Sequence, residues 1–191
     1  NIILNYAMAT KKYMKQVQRP LVKELIESDR FYPELMSGFV TARGTFELFK
    51  ESSPEYIFKQ ATLDPLNPAN RADQDEAELI KKFDQNPALK SSEGIISKNG
   101  IDVFYFAQPI KVGSSGCLTC HGDPYDAPKD QVEIYGTETG YNWKLNDTVA
   151  AFVVYIPTES AIAAAKKLSF TPVSYTHLRA HETPEHLVCR L

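Results

Sequence analysis

Gly116-Cys117-Leu118-Thr119-Cys120-His121-Gly122-Asp123-Pro124 contains one C-x-x-C-H pentapeptide, the spacing by which c-type haem is attached. Two thiols three residues apart can each form a thioether with one of the two vinyl groups of a haem. The next residue is then held close enough to the iron to serve as its proximal ligand. Cys117, Cys120 and His121 are therefore the candidate cofactor-binding residues, with His121 as the proximal iron ligand and haem c as the cofactor. A zinc site would need two further Cys or His ligands at suitable spacing. A thioredoxin-like redox pair would open a helix after a buried strand. Gly116 and the Gly122-Asp123-Pro124 run instead predict a loop around the motif.

The C-terminal segment 173–191 is set aside. Val173 to Thr183 reads Val-Ser-Tyr-Thr-His-Leu-Arg-Ala-His-Glu-Thr and resembles one reading frame of a sequencing adapter, a scar that belongs outside fold reasoning. It carries His177, His181, His186 and Cys189, which would otherwise imitate a four-ligand zinc set. Without it, His121 is the only histidine and the two motif cysteines are the only cysteines. Residues 1–172 suit a single domain.

Composition bounds the function. The chain is 43% hydrophobic and 24% charged, with a formal net charge of -3. That is enough to bury a core and gives no sign of nucleic-acid binding. No run of eighteen apolar residues predicts a membrane span. The chain opens Asn1-Ile2-Ile3-Leu4 without an initiator Met, and a membrane anchor is expected before Asn1. Haem attachment through C-x-x-C-H takes place outside the bacterial cytoplasm, so a periplasmic location is expected.

Residues 2–28 read as a helix, with Met14, Val17, Leu21 and Leu25 as its apolar stripe and Lys11, Lys12, Lys15, Gln18 and Lys23 on the opposite side. Pro20 either kinks this helix or opens a new one, and Phe31-Tyr32-Pro33 ends it. A second helix over 38–50 places Ala42, Phe46 and Phe49 on one face. An extended, aromatic-rich strand follows over 56–62, then a turn-rich loop over 64–70. Asp73 and Glu76 form a capping box for a helix running to about Asn86, with Ala77, Ile80 and Phe83 inward. Asn99-Gly100 is a type I′ turn signal joining Ile95-Ile96-Ser97 to a strand from Ile101 to Val112. Residues 123–148 read as loop, Val149 to Ile156 as a strand, and Ser160 to Leu168 as a last helix behind Thr158. Helices, an antiparallel sheet interrupted by one helix, and a closing helix make an α+β fold. A small electron-transfer cytochrome c would be nearly all helix.

Several words fall in an order that resembles the Tll0287-like (DUF3365) haem-binding sensor domains and, more distantly, PAS-like periplasmic haem sensors. They are Phe31-Tyr32-Pro33, Asn67-Pro68-Ala69-Asn70, the run Cys117 to Pro124, Tyr135-Gly136, Gly140-Tyr141 and Val154-Tyr155-Ile156-Pro157. The resemblance implies a PAS-like antiparallel sheet with a long N-terminal helix. It also implies a periplasmic input module of a bacterial signalling receptor, tethered to the inner membrane in its parent. A homodimer is expected on the same analogy.

The far side of the iron separates the functions. A strong side-chain ligand favours electron transfer or redox sensing; a weak one leaves room for a diatomic gas. With the tail excluded no second His or third Cys exists, and Met8, Met14 and Met36 all precede the motif. Met36, between two helices, is the candidate distal ligand, with Met14, Met8, a Tyr or Lys group, or an open site as the alternatives; in a core the same residue would be a gap-filler. Arg43 is a propionate partner or a solvated arginine, and Tyr141 and Trp143 are haem-packing or core aromatics. The expected function is a c-type haem sensor domain, not an enzyme, responding to redox state or to NO or CO. The alternative is a monohaem electron carrier with a redox partner.

Overall fold

A computed structural model describes residues 2–27 and 30–169; the histidines and cysteine of the tail lie outside the described residues. The elements are α1 (Ile2–Tyr13), a π turn (Met14–Gln18), α2 (Arg19–Leu25), α3 (Pro33–Met36), α4 (Gly38–Lys50), β1 (Ile57–Thr62), α5 (Gln74–Gln85), β2 (Ser92–Lys98), β3 (Ile101–Lys111), α6 (Leu118–His121), α7 (Lys129–Tyr135), β4 (Thr148–Pro157) and α8 (Thr158–Ser169). The α+β class is as expected.

The four strands form one antiparallel sheet in the order β1-β4-β3-β2. β4 is central and covered on both faces, which is why Val149 to Ile156 reads as a continuous apolar run rather than an alternating one. β2 and β3 meet at Asn99-Gly100, whose φ angles of 54° and 79° are those of the expected type I′ turn.

Each face of the sheet has its own cover. α5 lays Leu79, Ile80 and Phe83 over Ala61, Val103, Ala107, Ala151, Val153 and Tyr155. On the other face α1 and α4 bring Leu4, Ala7 and Ala42 against Ile110, Ala150 and Phe152. The capping box forms as read: Asp73 accepts from the Glu76 N–H, and Glu76 accepts from the Asp73 N–H. Ala77 is only half-buried, and Glu76 takes the inward place beside Leu79.

The N-terminal helix differs from expectation. Of its predicted stripe only Met14 is buried; Val17, Leu21 and Leu25 are 42%, 58% and 84% exposed. The cause is the π turn ahead of Pro20, where the Arg19 N–H reaches back to the Met14 carbonyl. An extra residue in one turn rotates everything downstream, and proline cannot supply the next helical N–H. The inward face becomes Leu4, Ala7 and Met14. The region read as loop over 123–148 holds α7, and the segment around Met36 closes as the short α3.

Candidate haem site

Past β3, the chain makes a short 3-10 turn (Ser115–Cys117) and then the single turn α6. The loop expected around the motif is thus helical, which sets residues three apart on one side of the turn and brings Cys117 and Cys120 to the same cavity as His121. Gly122 is needed to leave the turn: a Cβ there would stand 2.5 Å from the Leu118 carbonyl oxygen.

The segment 140–143 backs this turn. The Asn142 N–H donates to the Gly122 carbonyl (2.8 Å) and the Trp143 N–H to the His121 carbonyl (3.0 Å). His121 Nδ1 lies 2.7 Å from the Gly140 carbonyl oxygen. A carbonyl only accepts, so Nδ1 carries the proton and Nε2 keeps its lone pair, the tautomer that a metal-binding imidazole takes. Burial lowers the His121 pKa, against the opposing effect of that hydrogen bond and with a further lowering from Arg19, so the neutral ring is favoured. Trp143 stacks on it at 3.9 Å between centroids and 4° between planes.

Gly140 itself is fixed by a donated hydrogen bond to Asp64 (2.7 Å) and sits at φ 82°. A Cβ there would meet Leu66 at 2.6 Å. Gln131 on α7 donates to the Cys120 carbonyl, and Tyr141 is buried and donates to the Gly136 carbonyl. Trp143 therefore lines the cavity while Tyr141 belongs to the core.

The cavity encloses about 360 Å³ between this wall and a second one made by α1, α4 and the end of the sheet. Apolar side chains such as Phe31, Phe39, Leu66 and Val112 line it. So do five cations, Lys11, Lys15, Arg19, Arg43 and Lys111, and no aspartate or glutamate among the described residues. The side of the N-terminal helix opposite the predicted apolar stripe supplies two of them, Lys11 and Lys15. A signal was present in the sequence: Lys11, Lys12, Lys15, Arg19 and Lys23 precede the first acidic residue, Glu24. Arg43 donates to Asn70 (3.4 Å) within the lining.

Met36 is not brought to this cavity. It is buried, its Sδ accepts the Tyr32 N–H at 3.4 Å, and its carbonyl accepts from Arg19. Met8 and Met14 do not line the cavity either.

The donor set can be tested against a haem. Among the described residues no three His, Cys, Asp or Glu side chains converge on one point, so the two thiols and the imidazole do not form a zinc cage. Thiols reaching the edge of a flat macrocycle and an imidazole reaching its centre need that separation. Two anionic propionates match a lining of one sign. The volume lies within the range of small-molecule sites, roughly 300 to 1,000 Å³. The residues fit the group.

Comparison with known proteins gives one family and one fold neighbour. A family model described as Tll0287-like matches residues 1–157. The crystal structure of the cyanobacterial heme-protein Tll0287 is similar in fold, with a TM-score of 0.58 and 19% identity, over 81% of this chain and 94% of that one. No curated protein matches.

Proposed function

The chain belongs to the Tll0287-like family, and from that premise we propose that it is a c-type haem-binding sensor domain acting outside the cytoplasm. The observation that carries the reading is the His121 arrangement: a neutral imidazole, proton on Nδ1 and held by Gly140, one residue from a pair of free thiols that line the same basic cavity. The heme-protein character of the fold neighbour supports it.

Each part of the wall has a role. Cys117 and Cys120 would bind the group covalently and His121 would hold its iron; bound there, the iron supplies redox and diatomic-ligand chemistry. Gly140, Trp143 and Asp64 keep the imidazole oriented. Lys15, Arg19 and Arg43 would neutralise the carboxylates of the group, and the apolar lining would exclude water.

A sensing role draws support from the opposite wall, where no methionine, second histidine or third cysteine lines the cavity among the described residues. An electron carrier depends on a ligand that stays put; a sensor depends on one that moves or exchanges. The test is the optical spectrum of the haem-loaded protein, oxidised, reduced and under CO. We expect the pyridine derivative of a thioether-linked haem and a reduced form that binds CO. A reduced haem that ignores both CO and NO overturns gas sensing and returns the electron carrier.

A further inference from the structure

We propose that Lys11 is the second axial ligand of the iron, reaching across the cavity from α1 toward His121. This deepens the haem reading above and rests on it.

Lys11 and His121 line the same cavity from different walls. His121 stands on α6, backed by the segment 140–143; Lys11 stands on α1 where that helix meets α4 at Gly38. A Cβ on Gly38 would lie 3.0 Å from the Lys11 Cα and 3.1 Å from its Cγ, so Gly38 is what lets the two helices close around this residue. The side chain then runs inward along aromatic faces, with Nζ 3.8 Å from the Phe39 ring centroid and 4.8 Å from that of Phe152. No hydrogen bond or ion pair to a described residue holds that nitrogen. Ring faces replace water poorly, and burial lowers the Lys11 pKa to about 8, with Cys117 acting to raise it and Lys15 to lower it. A neutral amine with a lone pair is thereby accessible near physiological pH, the state in which buried lysines act as bases and ligands.

The other polar groups of the lining are otherwise engaged. Lys15 Nζ donates to Ser114 Oγ at 3.0 Å, and Lys111 Nζ to the Pro87 carbonyl at 3.1 Å. Arg19 is tied to the Met36 carbonyl, and a guanidinium has no lone pair to give. Tyr135 belongs to α7, which is anchored through Gln131 to the Cys120 carbonyl, and so stands on the attachment wall. The Lys11 wall also carries Gln60, 4% exposed, whose amide N–H donates to the Phe39 carbonyl while its Oε1 finds no donor among the described residues. An amine bound to iron keeps two N–H donors, and Gln60 Oε1 is an acceptor waiting in that wall.

The experiment compares the haem-loaded full chain with Lys11→Ala, Lys11→Met and Met36→Leu by electron paramagnetic resonance and near-infrared magnetic circular dichroism. The wild type is expected to be ferric low-spin with two nitrogen ligands. Lys11→Ala should lose the low-spin signal and regain it on adding imidazole. Lys11→Met should change the axial pair from nitrogen–nitrogen to nitrogen–sulfur, a readout available even where the alanine variant does not fold. Met36→Leu should leave the spectrum of the wild type. A high-spin ferric wild type, or a Lys11→Ala spectrum unchanged from it, overturns the proposal. A wild type without thioether-linked haem overturns the underlying haem reading instead, and the pyridine derivative distinguishes the two failures.

Discussion

The two faces of the sheet solve different problems with the same strands. On the α5 face every large inward side chain is in contact with another, and the polar groups among them are paired. Glu76, 2% exposed, accepts from the Tyr155 hydroxyl at 3.0 Å, from the Asp73 N–H at 3.0 Å and lies 3.4 Å from Lys59 Nζ. Burial first, and then the neighbouring Glu76 carboxylate, push the Tyr155 hydroxyl pKa far up, so it stays a donor. On the α1/α4 face the packing is complete around Leu4 and Phe152 and then opens into the cavity. There the buried Oε1 atoms of Gln60 and Gln131 have no donor among the described residues, and five cations stand together without an acid. Buried acceptors without partners and unneutralised like charges both cost stability. One face is thus satisfied by the chain itself, while the other carries the deficit that the proposed haem would fill.

That contrast breaks if the closed face turns out to tolerate loss. Phe83 is fully buried between α5 and the sheet, and Phe83→Ala should destabilise the chain by about 3 to 5 kcal/mol through lost transfer energy and the cavity left behind. Urea unfolding followed by circular dichroism measures it. The absorption of the proposed haem, in the haem-loaded chain, should stay where it was, since Phe83 does not line the cavity. A shift in that spectrum would show that the two faces are coupled.

The open face should respond in the opposite direction. In the haem-free chain Lys11 carries a burial penalty, so Lys11→Met should raise stability by about 2 kcal/mol near pH 7, the desolvation gain being reduced by the lost cation–ring contact. The gain has a definite pH dependence. Below about pH 8 the lysine is charged in folded and unfolded chains alike, and the penalty is present in full. Between there and its ordinary value of 10.5 the folded chain has released a proton that the unfolded chain still holds, so wild-type stability climbs toward that of the variant. Urea midpoints at pH 7 and pH 10 check this; a gap that stays constant would place the ammonium in solvent.

How much of this was legible beforehand follows the same division. The closed face could be read almost residue by residue. Local rules govern it: Asp73 and Glu76 cap a helix, Asn99-Gly100 turns a hairpin, and apolar residues mark a central strand. The C-x-x-C-H word was equally plain as a pattern, because it is confined to five consecutive residues. The open face was misread along the π turn and α2, where periodicity assigned Val17, Leu21 and Leu25 inward. A single π turn before Pro20 reversed that assignment, and a one-residue change of phase lies below what an apolar pattern can register. The helix α7 escaped because its buried contribution is polar: Gln131 is 1% exposed. The pairing of His121 with Gly140, nineteen positions on, is a tertiary fact that no local pattern carries. Met36 was a candidate because of its position between two helices; the fold turns its sulfur to the Tyr32 N–H.

The smallest expected effect tests how independent the closed face is. Asp73 Oδ1 accepts the Glu76 N–H at 3.0 Å and the other oxygen pairs with Lys98. Asp73→Ala should therefore cost about 1 kcal/mol, the usual loss for an N-cap, while Asp73→Asn, which keeps the accepting oxygen, should cost a few tenths at most. Burial raises the Asp73 pKa, but the Lys98 contact and the Glu76 N–H together outweigh it and hold it below the ordinary value. The folded chain thus binds the Asp73 proton less readily than the unfolded one. The charged-state contribution is present above the carboxylate range and disappears as pH falls through it. The difference between wild type and Asp73→Asn should vanish in acid, while most of the alanine deficit persists wherever the chain stays folded, because a protonated carboxyl still has an oxygen to accept with. Thermal unfolding of the three proteins at neutral and acid pH separates the cap from the charge. An asparagine variant as unstable as the alanine one would mean that the ion pair with Lys98, rather than the cap, secures the start of α5.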